Sequence, residues 1–418
     1  MTIKLSRFGK HFTRPTGASE LMDDLGLAIG NKHPSLLLGG GNPGKIPEIQ
    51  EYFRQRFHDV ATSDEGFERM VANYAHPKGE SVFCETLADL LVREYGWPIT
   101  ADNILLTAGS QAGFFMLFNL LAGEYPDGSR KKILLPMMPE YIGYMDVGLN
   151  ETFFVSQIPD IEELNDVFFK YRVDFSTLKV GDDVAAICVS RPTNPTGNVI
   201  TDQELIKLDE MACEADVPLI IDNAYGFPFP GIVFTEAKQI WNENVVICMS
   251  LSKLGLPGVR TGIIVAREEI VEALTRMTAV LSLSVGSVGP VLVQPLVETG
   301  EIIKMSRDHI MPFYQKKALI ACAHLKQELD GVPFKIHLPE GAFFLWLWIP
   351  GLPVTSAELY EKLKAEGVFV ISGHHFFPGM DEDWRHRNEC LRLSYSQDDD
   401  VVANGIRVLG RVVKAILT

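Results

Sequence analysis

Ser250-Leu251-Ser252-Lys253-Leu254-Gly255-Leu256-Pro257-Gly258-Val259-Arg260 follows directly on the apolar run 245–249, and the reading of this stretch decides the fold. The run is β-branched and too short for a helix, so it predicts a buried strand. Lys253 then stands at the mouth of that strand, between small hydroxyl residues, with an arginine seven positions later. This is an amine placed for covalent work on a phosphorylated aldehyde. Taken alone, it would read as a solvated turn lysine, because lysine is normally exposed.

The neighbouring segments change that reading. Ser190-Arg191-Pro192-Thr193-Asn194-Pro195-Thr196-Gly197 follows the apolar run 185–189, and Asp222-Asn223-Ala224-Tyr225 follows the run 219–221. All three runs predict fully buried parallel strands. Ligands in open α/β sheets bind outside the carboxyl ends of the strands. Asn194, Asp222, Tyr225 and Lys253 all fall at such ends, which makes them a constellation.

The spacing Asn194, Asp222, Tyr225, Lys253, Arg260 resembles that of the fold-type I pyridoxal-phosphate aminotransferases. The resemblance is closer still to the valine–pyruvate type. It is carried by Gly39-Gly40-Gly41-Asn42-Pro43, Pro139-Glu140-Tyr141-Ile142-Gly143-Tyr144, and residues 190–200, 222–232, 250–260, 339–349 and 373–379. In many relatives the arginine follows the lysine by eight residues; here it follows by seven, a shorter turn that the valine–pyruvate type shares.

The resemblance implies a large doubly wound, mainly parallel α/β domain plus a smaller α+β domain, with pyridoxal 5'-phosphate as cofactor. Lys253 would condense with the cofactor aldehyde and later shuttle a proton at the substrate Cα; a cationic, partly desolvated site would lower its pKa. Asp222 would pair with the protonated pyridine nitrogen, although an Asp after a strand also reads as a helix cap. Tyr225 and Asn194 would hydrogen-bond the phenolic oxygen, and core packing beside Phe227 and Phe229 is the plainer reading of Tyr225. Tyr141 would stack on the pyridine face, or else simply fill the core. Gly109, Ser110 and Gln111 end a strand and open a helix, whose free N–H groups suit a phosphate. Ser250 and Arg260 would add contacts to it. Tyr74 would reach the phosphate of a neighbouring subunit, so the expected assembly is a homodimer with shared active sites. Arg392, with Asn194, would bind the substrate, Arg392 gripping its α-carboxylate and Gly41 letting backbone approach it, though Leu391-Arg392-Leu393 also alternates like an exposed strand.

The implied substrates are small neutral amino acids such as valine or alanine, with their 2-oxo acids. A β-lyase or decarboxylase shares Lys253, Asp222 and Arg260, and a cofactor-sensing regulator is a third reading, for which no spare DNA-binding segment is evident. Gly39-x-Gly41-x-x-Gly44 satisfies a dinucleotide fingerprint, but Pro43 and Pro47 spoil the required turn into a helix.

Composition sets the bounds. The 418 residues predict two or three domains, and 38 basic against 54 acidic residues give a net charge of −16. That balance disfavours nucleic acid and anionic membranes as partners. Six scattered cysteines without a CxxC pair argue against a disulfide or metal framework, so no metal is expected and the reducing cytoplasm is the expected compartment. The basic N-terminus precedes no apolar stretch of signal-peptide length, and the densest apolar run, 343–349, is far too short to span a bilayer. It reads as a strand.

Residues 1–48 are expected to form an arm and a segment that packs with the small domain, 49–300 the large cofactor-binding domain, and 301–418 a connecting helix and the small C-terminal domain. A long helix over 302–329 should kink at Pro312.

Overall fold

The computed structural model describes residues 3–17, 19, 26, 35–150 and 152–417. Part of the expected N-terminal arm therefore lies outside the described residues. The strands are β1 (Leu36–Leu37), β2 (Ile104–Thr107), β3 (Gly123–Glu124), β4 (Arg130–Leu135), β5 (Phe154–Ser156), β6 (Asp160–Glu163), β7 (Phe168–Arg172) and β8 (Val184–Ser190). They continue as β9 (Leu219–Asp222), β10 (Val245–Ser250), β11 (Gly262–Val265), β12 (Lys335–His337), β13 (Phe344–Trp348), β14 (Val368–Phe369), β15 (Ile371–Ser372) and β16 (Cys390–Ser394).

One sheet runs β2-β11-β10-β9-β8-β4-β3, with β5 also paired to β4. β4, β5, β8, β9 and β10 are mutually parallel neighbours, whereas β11 runs antiparallel to both β10 and β2. Every residue of β8, β9 and β10 is buried. Their uninterrupted Val/Ile-rich composition follows from that, since a strand covered on both faces needs no polar alternation. Ser190 pairs in register with Asp222, and Asp222 with Cys248, so the carboxyl ends of these strands bring their polar residues to one edge.

The helices between strands have chemical starts. Thr201 and Glu204 cap each other's backbone N–H at the head of the helix Asp202–Glu214. By contrast, the helix Ser110–Leu121 begins at Gly109, at φ +84°, with no side chain capping its first amides.

A second sheet runs β15-β16-β13-β12-β7-β6. The hairpin β6–β7 sits in sequence between strands of the first sheet, yet it pairs with β12 of the second. β1 pairs in parallel with β14, tying the N-terminal segment to the C-terminal region. The apolar stretch 368–371 forms parts of two strands, because its halves find different partners: β14 joins β1 and β15 joins β16.

The expected helix over 302–329 is interrupted. Glu301–Met305 and Met311–Glu328 are α-helical, and a π-helical turn, Ser306–Ile310, lies between them. Pro312 follows directly on that π-helical turn, and the backbone stays in the right-handed helical region at Met305, Ser306, Ile310 and Met311.

Candidate active site

β10 delivers the chain into a short 3₁₀ turn, Ser252–Leu254, which carries Lys253. The Lys253 ammonium donates to the Gly41 carbonyl at 2.8 Å and lies 5.4 Å and 5.3 Å from the ring centres of Tyr225 and Phe343. Burial pushes its pKa down to about 8; the positive charges of Arg392 and Arg260 add to that, and Asp222 opposes it.

Asp222 ends β9. Its Oδ2 accepts from the Tyr144 hydroxyl at 2.7 Å and its Oδ1 from the Ala224 N–H at 3.0 Å. Burial pushes its pKa up to about 6, against the pull of those two hydrogen bonds and of Lys253. Such a carboxylate lacks a cationic partner of full strength.

Arg392 lies on β16 and is 2 % exposed. The alternation of Leu391, Arg392 and Leu393 does not carry it to solvent, because β16 sits between β13 and β15 and is buried throughout. Its guanidinium donates to Asn194 Oδ1 at 2.7 Å and to the Gly39 carbonyl at 2.6 Å, and it lies 4.2 Å over the Phe344 ring. The Nε–H is buried without a partner. A buried donor of this kind is costly unless a ligand meets it.

A cradle forms where the helix Ser110–Leu121 starts. A Cβ on Gly109 would lie 2.2 Å from a terminal nitrogen of Arg260, so the guanidinium rests directly against that glycine. Arg260 also donates to Ser252 Oγ at 3.4 Å and to the Pro257 carbonyl at 3.2 Å. Open helix amides, a glycine and an arginine suit an anion. Ser250 is turned inward, its buried hydroxyl accepting from Ser252 N–H at 3.1 Å; Ser252 is the serine beside Arg260. Gln111 donates from Nε2 to the Gly143 carbonyl at 2.7 Å, and its Oε1 has no partner.

Tyr141 is packed edge-on against Tyr144, its proton held more tightly than usual by burial and by Asp222. Tyr225 is buried, edge-on to Phe343 and Phe344. Tyr74 stands apart: it is 86 % exposed, on the loop beyond a π-helical turn.

The sequence reading missed Glu140, Tyr144 and Ser190 as site residues. Glu140 is fully buried and accepts from the Ser190 N–H at 2.9 Å, while its other oxygen shares a short hydrogen bond with Ser190 Oγ. Ser190 Oγ in turn is 3.4 Å from the Tyr144 hydroxyl that bonds Asp222. Ser190 was legible as a polar residue at a strand end. Nothing local marks Glu140 as buried.

Among the described residues no cluster of three or more His, Cys, Asp or Glu side chains could hold a metal ion, and no helix is long and apolar enough to cross a membrane.

Six of the eight strands of the large sheet running one way, with the polar groups gathered at their carboxyl ends, define a fold shared with transferases of amino groups. Residues 47–409 match the family Aminotransferase class I and II, and the chain belongs to that family. It is 47 % identical over 412 residues to the valine–pyruvate aminotransferase of Escherichia coli (strain K12), covering 99 % of this chain and 98 % of that protein. The crystal structure of a putative amino-acid aminotransferase from Psychrobacter arcticum 273-4 superposes with a TM-score of 0.97 at 45 % identity, covering 100 % of this chain and 99 % of that one. The valine–pyruvate aminotransferase of Salmonella typhimurium LT2 superposes at 0.88 with 44 % identity, covering 96 % and 99 %. Aspartate aminotransferase of Thermus thermophilus, 18 % identical, shares the fold at 0.76. The protein is a fold-type I aminotransferase.

Proposed function

We propose that this enzyme moves the α-amino group between valine or alanine and a 2-oxo acid, pyruvate or 3-methyl-2-oxobutanoate, with pyridoxal 5'-phosphate as cofactor. The observation that carries the reading is the half-buried Lys253 of lowered proton affinity, on which the charges of Asp222 and Arg392 both bear. The full-length likeness to valine–pyruvate aminotransferase selects the substrate pair.

The residues fit that cofactor. The Gly109 cradle, too tight for any side chain, suits its phosphate; Asp222, a carboxylate short of a cation, suits its pyridinium; the unpartnered Arg392 Nε–H suits the substrate carboxylate. The chemistry supplied when pyridoxal phosphate is bound is an aldehyde to accept the amino group and a ring to take up the electron pair released at the substrate Cα. Lys253, about half freed of its proton at pH 8, would hold the cofactor through that aldehyde and carry the proton at Cα. Asp222 would hold a proton on the ring nitrogen. Asn194, whose Oδ1 is taken by Arg392, would have its amide N–H₂ left for the phenolic oxygen, and Tyr225 would add its hydroxyl. Tyr141 covers a ring face. Gly109, Ser110, Gln111, Ser252 and Arg260 would hold the phosphate, with Tyr74 reaching in from a partner subunit, while Ser250, turned inward, would support Ser252. Arg392 and the backbone at Gly41 take the substrate carboxylate.

Around this chemistry we place a homodimer in the cytoplasm and a division into an N-terminal segment, a large cofactor-binding domain to about residue 300, and a C-terminal domain. The exposure of Tyr74 supports the dimer, and six free cysteines support a reducing compartment.

Steady-state kinetics with valine, alanine, aspartate and glutamate test the reading. Valine and alanine should be preferred. Arg392→Ala should impair both to a similar degree, by about 3–5 kcal/mol, because each offers the same carboxylate to the same buried guanidinium. A strong preference for aspartate or glutamate, or an Arg392→Ala enzyme that loses valine but keeps alanine, would overturn it.

A further inference from the structure

Behind the candidate cofactor site lies a second carboxyl group that the chemistry above does not use. Glu140 sits on the loop after β4, with its own N–H donated to the Phe376 carbonyl at 2.9 Å and its side chain turned inward to β8. Its surroundings are the Ser190 N–H and hydroxyl, the Tyr141 N–H at 3.3 Å, the Cys188 thiol on β8, and the Tyr144 phenol. The charge that bears on it is that of Asp222 on β9, of the same sign as its own. No cation faces it among the described residues to offset the loss of water.

We propose that Glu140, Ser190, Tyr144 and Asp222 form one hydrogen-bonded relay in which Glu140 keeps the single proton of the two carboxyls and acts as a positioning residue that holds Asp222 ionised. The Ser190 hydroxyl donates to Glu140 in this structure and either oxygen of the Ser190–Tyr144 pair can be the donor, so a proton placed on Glu140 gives the chain one consistent direction. Protonated Glu140 donates to Ser190 Oγ, the Ser190 hydroxyl faces the Tyr144 oxygen at 3.4 Å, and the Tyr144 hydroxyl donates to Asp222 Oδ2 at 2.7 Å. Each O–H points toward Asp222, and hydrogen bonds in series polarise one another in favour of the charge at the end. If both carboxyls were ionised, the Ser190 hydroxyl would turn back to Glu140 and two like charges would share one buried site. Burial and the Asp222 charge raise the Glu140 pKa to about 8, above that of Asp222, which agrees with this order of titration.

The inference rests on the proposed role of Asp222 only in its consequence for the cofactor; the location of the proton is independent of it. Infrared spectroscopy of the full-length protein, with and without pyridoxal phosphate at neutral pH, should show the carbonyl band of a protonated, buried carboxyl. That band should vanish in Glu140→Gln and persist in Asp222→Asn. Its absence, or its loss in Asp222→Asn instead, overturns the proposal.

The relay itself is read from retention of pyridoxal phosphate and from the pH midpoint of its absorbance. Ser190→Ala should weaken retention about three- to tenfold, the measure of one lost hydrogen bond, and shift the midpoint. Glu140→Gln, a neutral isostere that still donates to Ser190, should stay within about twofold of wild type. Equal losses in both variants, or an unmoved midpoint in Ser190→Ala, would refute the relay. Should Asp222→Asn leave retention and absorbance unchanged while the infrared result holds, the role given to Asp222 fails and the proton assignment stands.

Discussion

At the scale of single residues the chemistry converges on Lys253, and two predictions belong there. Borohydride reduction of the holoenzyme followed by peptide mapping should place the cofactor on Lys253, and Lys253→Ala should abolish transamination with the fold intact; the cofactor on another lysine would refute the assignment. The second prediction concerns pH. Burial disfavours the Lys253 ammonium, so the unfolded chain binds this proton more tightly than the folded one. The folded state thus carries its full penalty below about pH 8 and sheds it as pH rises toward 10.5. A difference of that size corresponds to about 3 kcal/mol. Lys253→Met should therefore stabilise the cofactor-free protein near pH 7, with a gain that shrinks between pH 8 and 10, as followed by chemical denaturation. A gain independent of pH would show that the amine is not held against its charge. These residues were legible because each stands at a strand end in a short motif. Glu140 was not, since its burial depends on an amide of Ser190 fifty positions away.

At the scale of elements, legibility followed covering. β8, β9 and β10 announced themselves as unbroken apolar runs because both their faces are buried. The π-helical turn Ser306–Ile310 left no comparable trace, since one extra residue per turn barely disturbs the apolar spacing around it. The hairpin β6–β7 was hidden for another reason: pairing with β12 is a long-range choice that neither strand encodes alone. The joint between β2 and the helix Ser110–Leu121 carries its own prediction. Gly109 has φ +84° and ψ 156°, a region open in practice only to glycine. Gly109→Ala should destabilise the cofactor-free protein by about 1–3 kcal/mol through the backbone and should also weaken pyridoxal phosphate retention, because Arg260 must move aside. Urea titration and equilibrium dialysis measure the two effects, and an unaltered affinity would remove Gly109 from the cofactor cradle.

At the scale of the whole molecule, the two sheets are joined by buried polar ties as well as by chain. Lys170 on β7 pairs with Glu340, which also accepts from the Val199 N–H at 3.0 Å, just beyond the segment that supplies Asn194. The proposed dimer has its own test. Lys253→Ala and Tyr74→Ala subunits, dissociated together and reassembled, should regain activity, because one site of each mixed dimer then has an intact lysine and an intact tyrosine from opposite chains. No recovery on mixing would mean that Tyr74 does not serve a neighbour.

The loop 39–44 is fastened at two points, the Gly39 carbonyl by Arg392 and the Gly41 carbonyl by Lys253. In the proposed chemistry the cofactor claims Lys253 and the substrate carboxylate claims Arg392. Rest and work are thus rivals for the same two side chains: whatever tightens the clasp of the empty enzyme raises the toll on the cofactor and substrate that must prise it open. A variant made sturdier at this loop would be expected to idle better and work more slowly.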